Sequence, residues 1–121
     1  MNFLYAGIGG GVGAMLRYGI SLIPYKGAFP VLTLITNVVG AVVMGFIVEI
    51  AQKRSISQER IIFLKTGVCG GFTTFSTFSL ETFQLMENHL YGYAGVYAFL
   101  SFVLCIAGIW AGMMLACLFE K

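Results

Sequence analysis

Four stretches of about 20 predominantly apolar residues follow one another along this chain, each the length a helix needs to cross a hydrocarbon core. They run from about residue 2 to 23, 29 to 51, 61 to 86 and 92 to 118, joined by short polar pieces. Pro24-Tyr25-Lys26-Gly27 reads as a turn, and Gln52 to Arg60 as a polar loop. Only 10% of the 121 residues are charged, against about 25% in a soluble domain. With a mean hydropathy of +0.91, too little polar surface is left to face water. The expectation is an all-α integral membrane protein with four transmembrane helices in a single domain, residues 1–121.

The first stretch follows Met1-Asn2-Phe3-Leu4-Tyr5, which carries no basic run, and it contains Arg17 but no small-residue cleavage site, so it reads as a retained span. With four spans the termini and the Gln52 to Arg60 loop share one side, which holds Lys53, Arg54, Arg60 and Lys121. Lys26 and Arg17 lie toward the other side. So small a bias predicts a weak orientation signal and a protein able to insert both ways. The net charge of +2 is scattered, with no basic stripe to suit nucleic acid.

Between Gly67 and Ser79 the third stretch crowds glycine and hydroxyl residues into its middle. Glycine costs a helix about 1 kcal/mol relative to alanine, and freed backbone survives at membrane depth only when buried in protein or lining a polar cavity. A helix broken near 70–74, with backbone groups available to an ion, is expected there.

Enzyme chemistry finds few components. There is one histidine, His89, no aspartate, and three cysteines, Cys69, Cys105 and Cys117, without the spacing of a disulfide framework or zinc site. Gly9-Gly10-Gly11-Val12-Gly13-Ala14 fits a dinucleotide pattern only loosely and follows no strand. The first-span glycines and the pair Gly108 and Gly112 instead suit close helix packing, and four thin helices imply an oligomer whose interface or groove forms any polar pathway.

Several polar residues could line such a pathway. Asn37 sits in mid-span with Thr33 one turn before it, fitting either an interhelical hydrogen bond or a permeation role. Tyr97, Ser101 and Cys105 form one helical stripe; a lone serine more commonly bonds back to its own helix, but Tyr97 on the same stripe favours a polar track. Phe75 and Phe78 interleave with Thr74, Ser76, Thr77 and Ser79, and their ring edges are electropositive. Arg17 is a candidate for function or for snorkelling to the interface, and Lys65, Glu81 and Glu87 for vestibule or surface positions. His89 reads as interfacial and Trp110 as packing.

Three runs together, Gly13-Ala14-Met15-Leu16-Arg17-Tyr18, Thr36-Asn37-Val38-Val39-Gly40 and Gly67 through Phe78, resemble the CrcB/Fluc fluoride-channel family over nearly the whole chain. The resemblance implies an antiparallel, dual-topology homodimer in the cell membrane, the bacterial inner membrane, with two fluoride pores and a central structural sodium ion. Phe75 and Phe78 would then form an aromatic box, Asn37 would donate to fluoride, and Tyr97, Ser101, Thr33 and Thr74 would continue the track. Carbonyls of Gly70 and Thr73 would hold the sodium, and Arg17 and Lys65 would serve structural or vestibule roles. Cys105 departs from the pattern, since some relatives carry a hydroxyl there and a thiol is a weak donor. A heterodimer with a paired family member is the variant assembly. Two other classes compete. A small dual-topology multidrug exporter needs a carboxylate early in the chain, where the first is Glu49. A non-conducting accessory subunit leaves the polar track without a purpose.

Overall fold

The computed structural model describes residues 1–119; Lys121, counted above in the charge bias, lies outside them together with Glu120. Helix α1 spans Asn2–Ser21 and α2 spans Val31–Lys53. Helix α3, residues 58–72, is a composite: an α turn Gln58–Ile61, a π stretch Ile62–Cys69 and a closing turn Gly70–Phe72. Helix α4 is Phe75–Glu87 and α5 is Tyr91–Phe119. Among the described residues there is no strand. Val31–Lys53, Gln58–Glu87 and Tyr91–Phe119 are each long and apolar enough to cross a membrane. Helix α1, with 20 residues, reaches about 30 Å but carries glycines and Arg17 that lower its hydropathy.

Local chemistry sets these ends. Ser57 caps α3 by accepting from the Arg60 amide at 3.4 Å, and Thr74 caps α4 by accepting from the Thr77 amide at 3.1 Å. Helix α4 closes in a Schellman turn, where the His89 amide donates to Met86 at 3.0 Å and the Leu90 amide to Leu85 at 2.8 Å. His89 takes the left-handed position of that turn at φ 61°.

Two helix pairs make the body, α1 against α3 and α2 against α5, while α4 leans more lightly on α5. The α1–α3 seam is glycine on glycine: a Cβ on Gly67 would lie 2.7 Å from the Gly9 Cα, and one on Gly9 would lie 2.9 Å from the Gly67 Cα. At the other seam a Cβ on Gly112 would sit 2.8 Å from the Phe46 amide. Such approach lets dispersion hold helices where lipid supplies no hydrophobic drive.

The helix does not stop at the glycines. Gly70 and Gly71 are helical, and the two extended residues are Thr73 (φ −84°, ψ 158°) and Thr74 (φ −149°, ψ 121°). Gly71 is required instead by contact, since a Cβ there would lie 2.9 Å from the Gly10 Cα. The π register is visible where the Gly70 amide donates to Lys65, five residues back. Trp110, read as a packing residue, is 66% exposed on the outer face of α5. Phe3, Met15, Phe99 and Phe102 are likewise exposed, so apolar side chains cover the outside of the bundle as a bilayer or a partner requires.

Candidate functional site

Where α2, the break and α5 meet, a groove of about 590 Å³ opens on the side of the bundle. Asn37, Thr73, Thr74, Phe75, Phe78, Ser101 and Cys105 line it. Five residues expected in the polar track, Asn37, Thr74, Phe75, Phe78 and Ser101, therefore share one wall.

Ser101 stands apart from the other helix hydroxyls. Thr36, Ser79 and Thr82 each bond back to a carbonyl four residues earlier, at 2.8 to 2.9 Å. Ser101 Oγ makes no such bond: it is buried without a hydrogen-bond partner among the described residues, in a residue only 8% exposed. Leaving a buried hydroxyl unsatisfied costs about 1–3 kcal/mol, which points to something in the groove that it binds.

Asn37 is placed by the break. Its Nδ2 donates to the Thr74 carbonyl at 3.1 Å, and its Oδ1 accepts from the Thr74 amide at 2.8 Å. Both polar backbone groups of Thr74 are thus satisfied by one side chain, and one Asn37 N–H is left over. Because the Thr74 amide goes to Asn37, the Gly70 carbonyl lacks its helical donor four residues on, while the Thr73 amide and hydroxyl both return to Cys69 at 3.0 and 2.9 Å. A Cβ on Gly70 would meet only the Lys65 carbonyl, at 3.9 Å, so that face of the helix is open. A carbonyl oxygen short of a donor suits a hard cation.

The aromatic residues connect the groove to a second polar group. Phe75, 78% exposed at the groove's edge, has its ring centroid 5.7 Å from that of Phe78, and Phe78 lies 5.0 Å from Tyr97. Tyr97 and Thr33 do not line the groove. The Tyr97 hydroxyl donates to Glu81 Oε1 at 2.8 Å and the Thr33 hydroxyl to Glu81 Oε2 at 3.0 Å. Thr33 and Glu81 in turn line a separate cavity of about 370 Å³ beside Tyr25, Gln84 and Asn88. The Phe78–Tyr97 contact therefore stands between two cavities.

Glu81 is the residue whose position the sequence leaves open. Its signal was present, since an ionisable group inside an apolar span is a functional candidate by default. Arg17 donates through Nε to the Gly71 carbonyl at 3.1 Å, which puts a cation at the C-terminal end of α3. It also lines a small cavity of about 110 Å³ with Thr33, Thr36, Thr74 and Thr77. Lys65 is exposed on α3 and lines none of these three cavities.

Long apolar helices with a mostly exposed apolar exterior and an internal polar wall define a multi-pass integral membrane protein. The chain belongs to the CrcB-like family: residues 4–113 match the family model described as CrcB-like protein, Camphor Resistance (CrcB). It is 41% identical over 116 residues to a fluoride-specific ion channel FluC of Methanococcus vannielii, covering 95% of each chain. It is 43% identical over 119 residues to the fluoride-specific ion channel FluC 2 of Nitrobacter hamburgensis, covering 95% of this chain and 96% of that one. A FluC of Roseiflexus is 40% identical over 116 residues.

Proposed function

We propose that this chain is a subunit of a fluoride-selective channel in the cell membrane that lets fluoride leave passively and so lowers cytoplasmic fluoride. The names of its relatives support the ion, and one observation carries the site: Ser101 Oγ, buried and unpartnered, in a groove shared with Asn37, Phe75 and Phe78. Fluoride is small and strongly hydrated, so donors must replace its water without holding it. A full positive charge in the wall would bind tightly and release slowly, whereas conduction needs several moderate sites. The Ser101 hydroxyl, the remaining Asn37 N–H and the positive ring edges of Phe75 and Phe78 are moderate donors of that kind. Past Phe78 the ion meets Tyr97 and Thr33, whose hydroxyls are held by Glu81, so fluoride must compete with a carboxylate for them. Fluoride enters cells as the neutral acid and ionises inside, and the membrane potential then drives the anion outward through this path.

The assembly in this reading is an antiparallel dual-topology dimer with twin pores. The exposed Phe75 edge leaves each groove open in a single chain, and a second copy would close it. Carbonyls of Gly70 and Thr73 from both subunits would hold a sodium ion, which would supply positive charge against two helix C-terminal ends. Reconstituted protein should release fluoride from loaded liposomes while retaining chloride. Efflux no faster than from protein-free vesicles, or chloride released as readily, would overturn the proposal.

A further inference from the structure

We infer that the groove holds a site for soft, thiophilic metal cations, formed by Cys105 with Met44, and that a cation captured there closes the groove to fluoride. The closing step rests on the channel reading; the site itself does not. Cys105 lies one helical turn beyond Ser101 on α5, and both line the groove. The unsatisfied Ser101 hydroxyl points to a ligand at this stretch of wall, one turn from the thiol. Met44, from α2, lines the same groove and brings a thioether. Thiolate and thioether are the ligands that select soft metals, whereas a hydroxyl at position 105 would not.

The other cysteines are elsewhere. Cys69 is 2% exposed in the body of the bundle, and Cys117 lies among Glu49 and Lys53, with its sulfur 3.5 Å and 3.2 Å from them. Among the described residues no three His, Cys, Asp or Glu side chains gather to hold a metal. Capture by two sulfur ligands therefore suits a cation content with low coordination, such as mercury(II). The Cys105 thiol displaces one chloride of mercury(II) chloride and loses its proton, and the Met44 thioether displaces the second chloride, leaving a sulfur–mercury–sulfur centre with one proton and two chloride ions released and no electron transferred.

The test uses the full chain in proteoliposomes, with mercury(II) chloride as the probe. Fluoride efflux through the parent and the Cys117→Ser variant should fall to the protein-free background and return after excess dithiothreitol. Cys105→Ser should keep its own starting flux, with Cys105→Ala as the second variant should the first fail to assemble. Met44→Leu should need more mercury for the same block. In parallel, mass spectrometry of the intact protein should find one mercury per Cys117→Ser chain and none once Cys105 is also replaced. A Cys105 variant blocked like the parent, or a mercury count unaffected by its loss, overturns the inference. If the parent carries no fluoride, the channel reading falls, and the mercury count alone decides the site.

Discussion

At the scale of single residues, Ser101 and the two phenylalanines separate packing from ion binding. Removing the Ser101 hydroxyl deletes a buried group that no protein atom satisfies. Ser101→Ala should therefore leave the thermal midpoint unchanged or raise it, since an unmet hydroxyl costs about 1–3 kcal/mol, while fluoride flux falls. A destabilised variant with normal flux would show that the hydroxyl bonds within the protein. For Phe75 and Phe78 the discriminating change is to isoleucine, which keeps apolarity and much of the volume. A packing role costs under about 1.5 kcal/mol in such a swap, whereas a ring-edge contact has no aliphatic substitute. Phe75→Ile and Phe78→Ile should slow or abolish efflux at an unchanged elution volume. Phe46 is the control, because its ring packs on Phe119 with centroids 5.9 Å apart, away from the groove. Parent-like flux in both variants would reduce the aromatic contribution to packing. The stripe from Ser101 to Cys105 was legible from spacing, but the binding of Tyr97 and Thr33 by Glu81 was not. Thr33 and Glu81 are 48 residues apart, and no periodicity relates them.

At the scale of elements, Asn37 and the two-residue break form one device. Thr73 and Thr74 leave the helix, and a backbone freed inside an apolar span must find partners within the protein. Asn37 supplies both partners of Thr74, so Asn37→Ala strands an amide and a carbonyl together. At about 1–3 kcal/mol for each stranded group, the variant should lose roughly 2 kcal/mol or more, read as a lower thermal midpoint and a poorer yield of assembled protein. An unchanged midpoint would mean that water or lipid headgroups replace the clamp. That the third span opens near 70–74 was readable from its glycine crowding, but that the opening falls on the threonines and spares the glycines was not. Glycine has two physical meanings, a weak helix former and a residue that admits close approach, and sequence alone does not distinguish them. Gly67 and Gly71 carry the second meaning against Gly9 and Gly10, so the helix runs through them in a π and then an α turn and opens at the threonines instead.

At the scale of the whole molecule, the proposed assembly completes what a single chain leaves open. Phe75 is 78% exposed at the mouth of the groove, and Phe99, Phe102 and Trp110 are exposed along α5, so one copy leaves its polar wall open toward lipid. Among the described residues the basic side chains that flank the spans divide weakly, Lys53, Arg54 and Arg60 at one end against Lys26 at the other. A bias this small permits insertion in both directions, and two copies related by a twofold axis in the membrane plane would close both grooves at once. The test must be made in cells, because reconstitution scrambles orientation and would give a mixed signal from any dimer. With Cys69, Cys105 and Cys117 replaced and Ser55→Cys in the polar loop, an impermeant maleimide added outside intact cells should label about half of the chains. The rest should react only after the membrane is opened. Half-labelling by itself also fits a mixture of parallel dimers pointing opposite ways. Dimers purified after outside labelling and then cross-linked distinguish the two, since an antiparallel pair carries one label and parallel pairs carry two or none. A mass spectrum dominated by singly labelled dimers is the expected result, and one with doubly labelled and unlabelled dimers in place of them would rule out the antiparallel assembly.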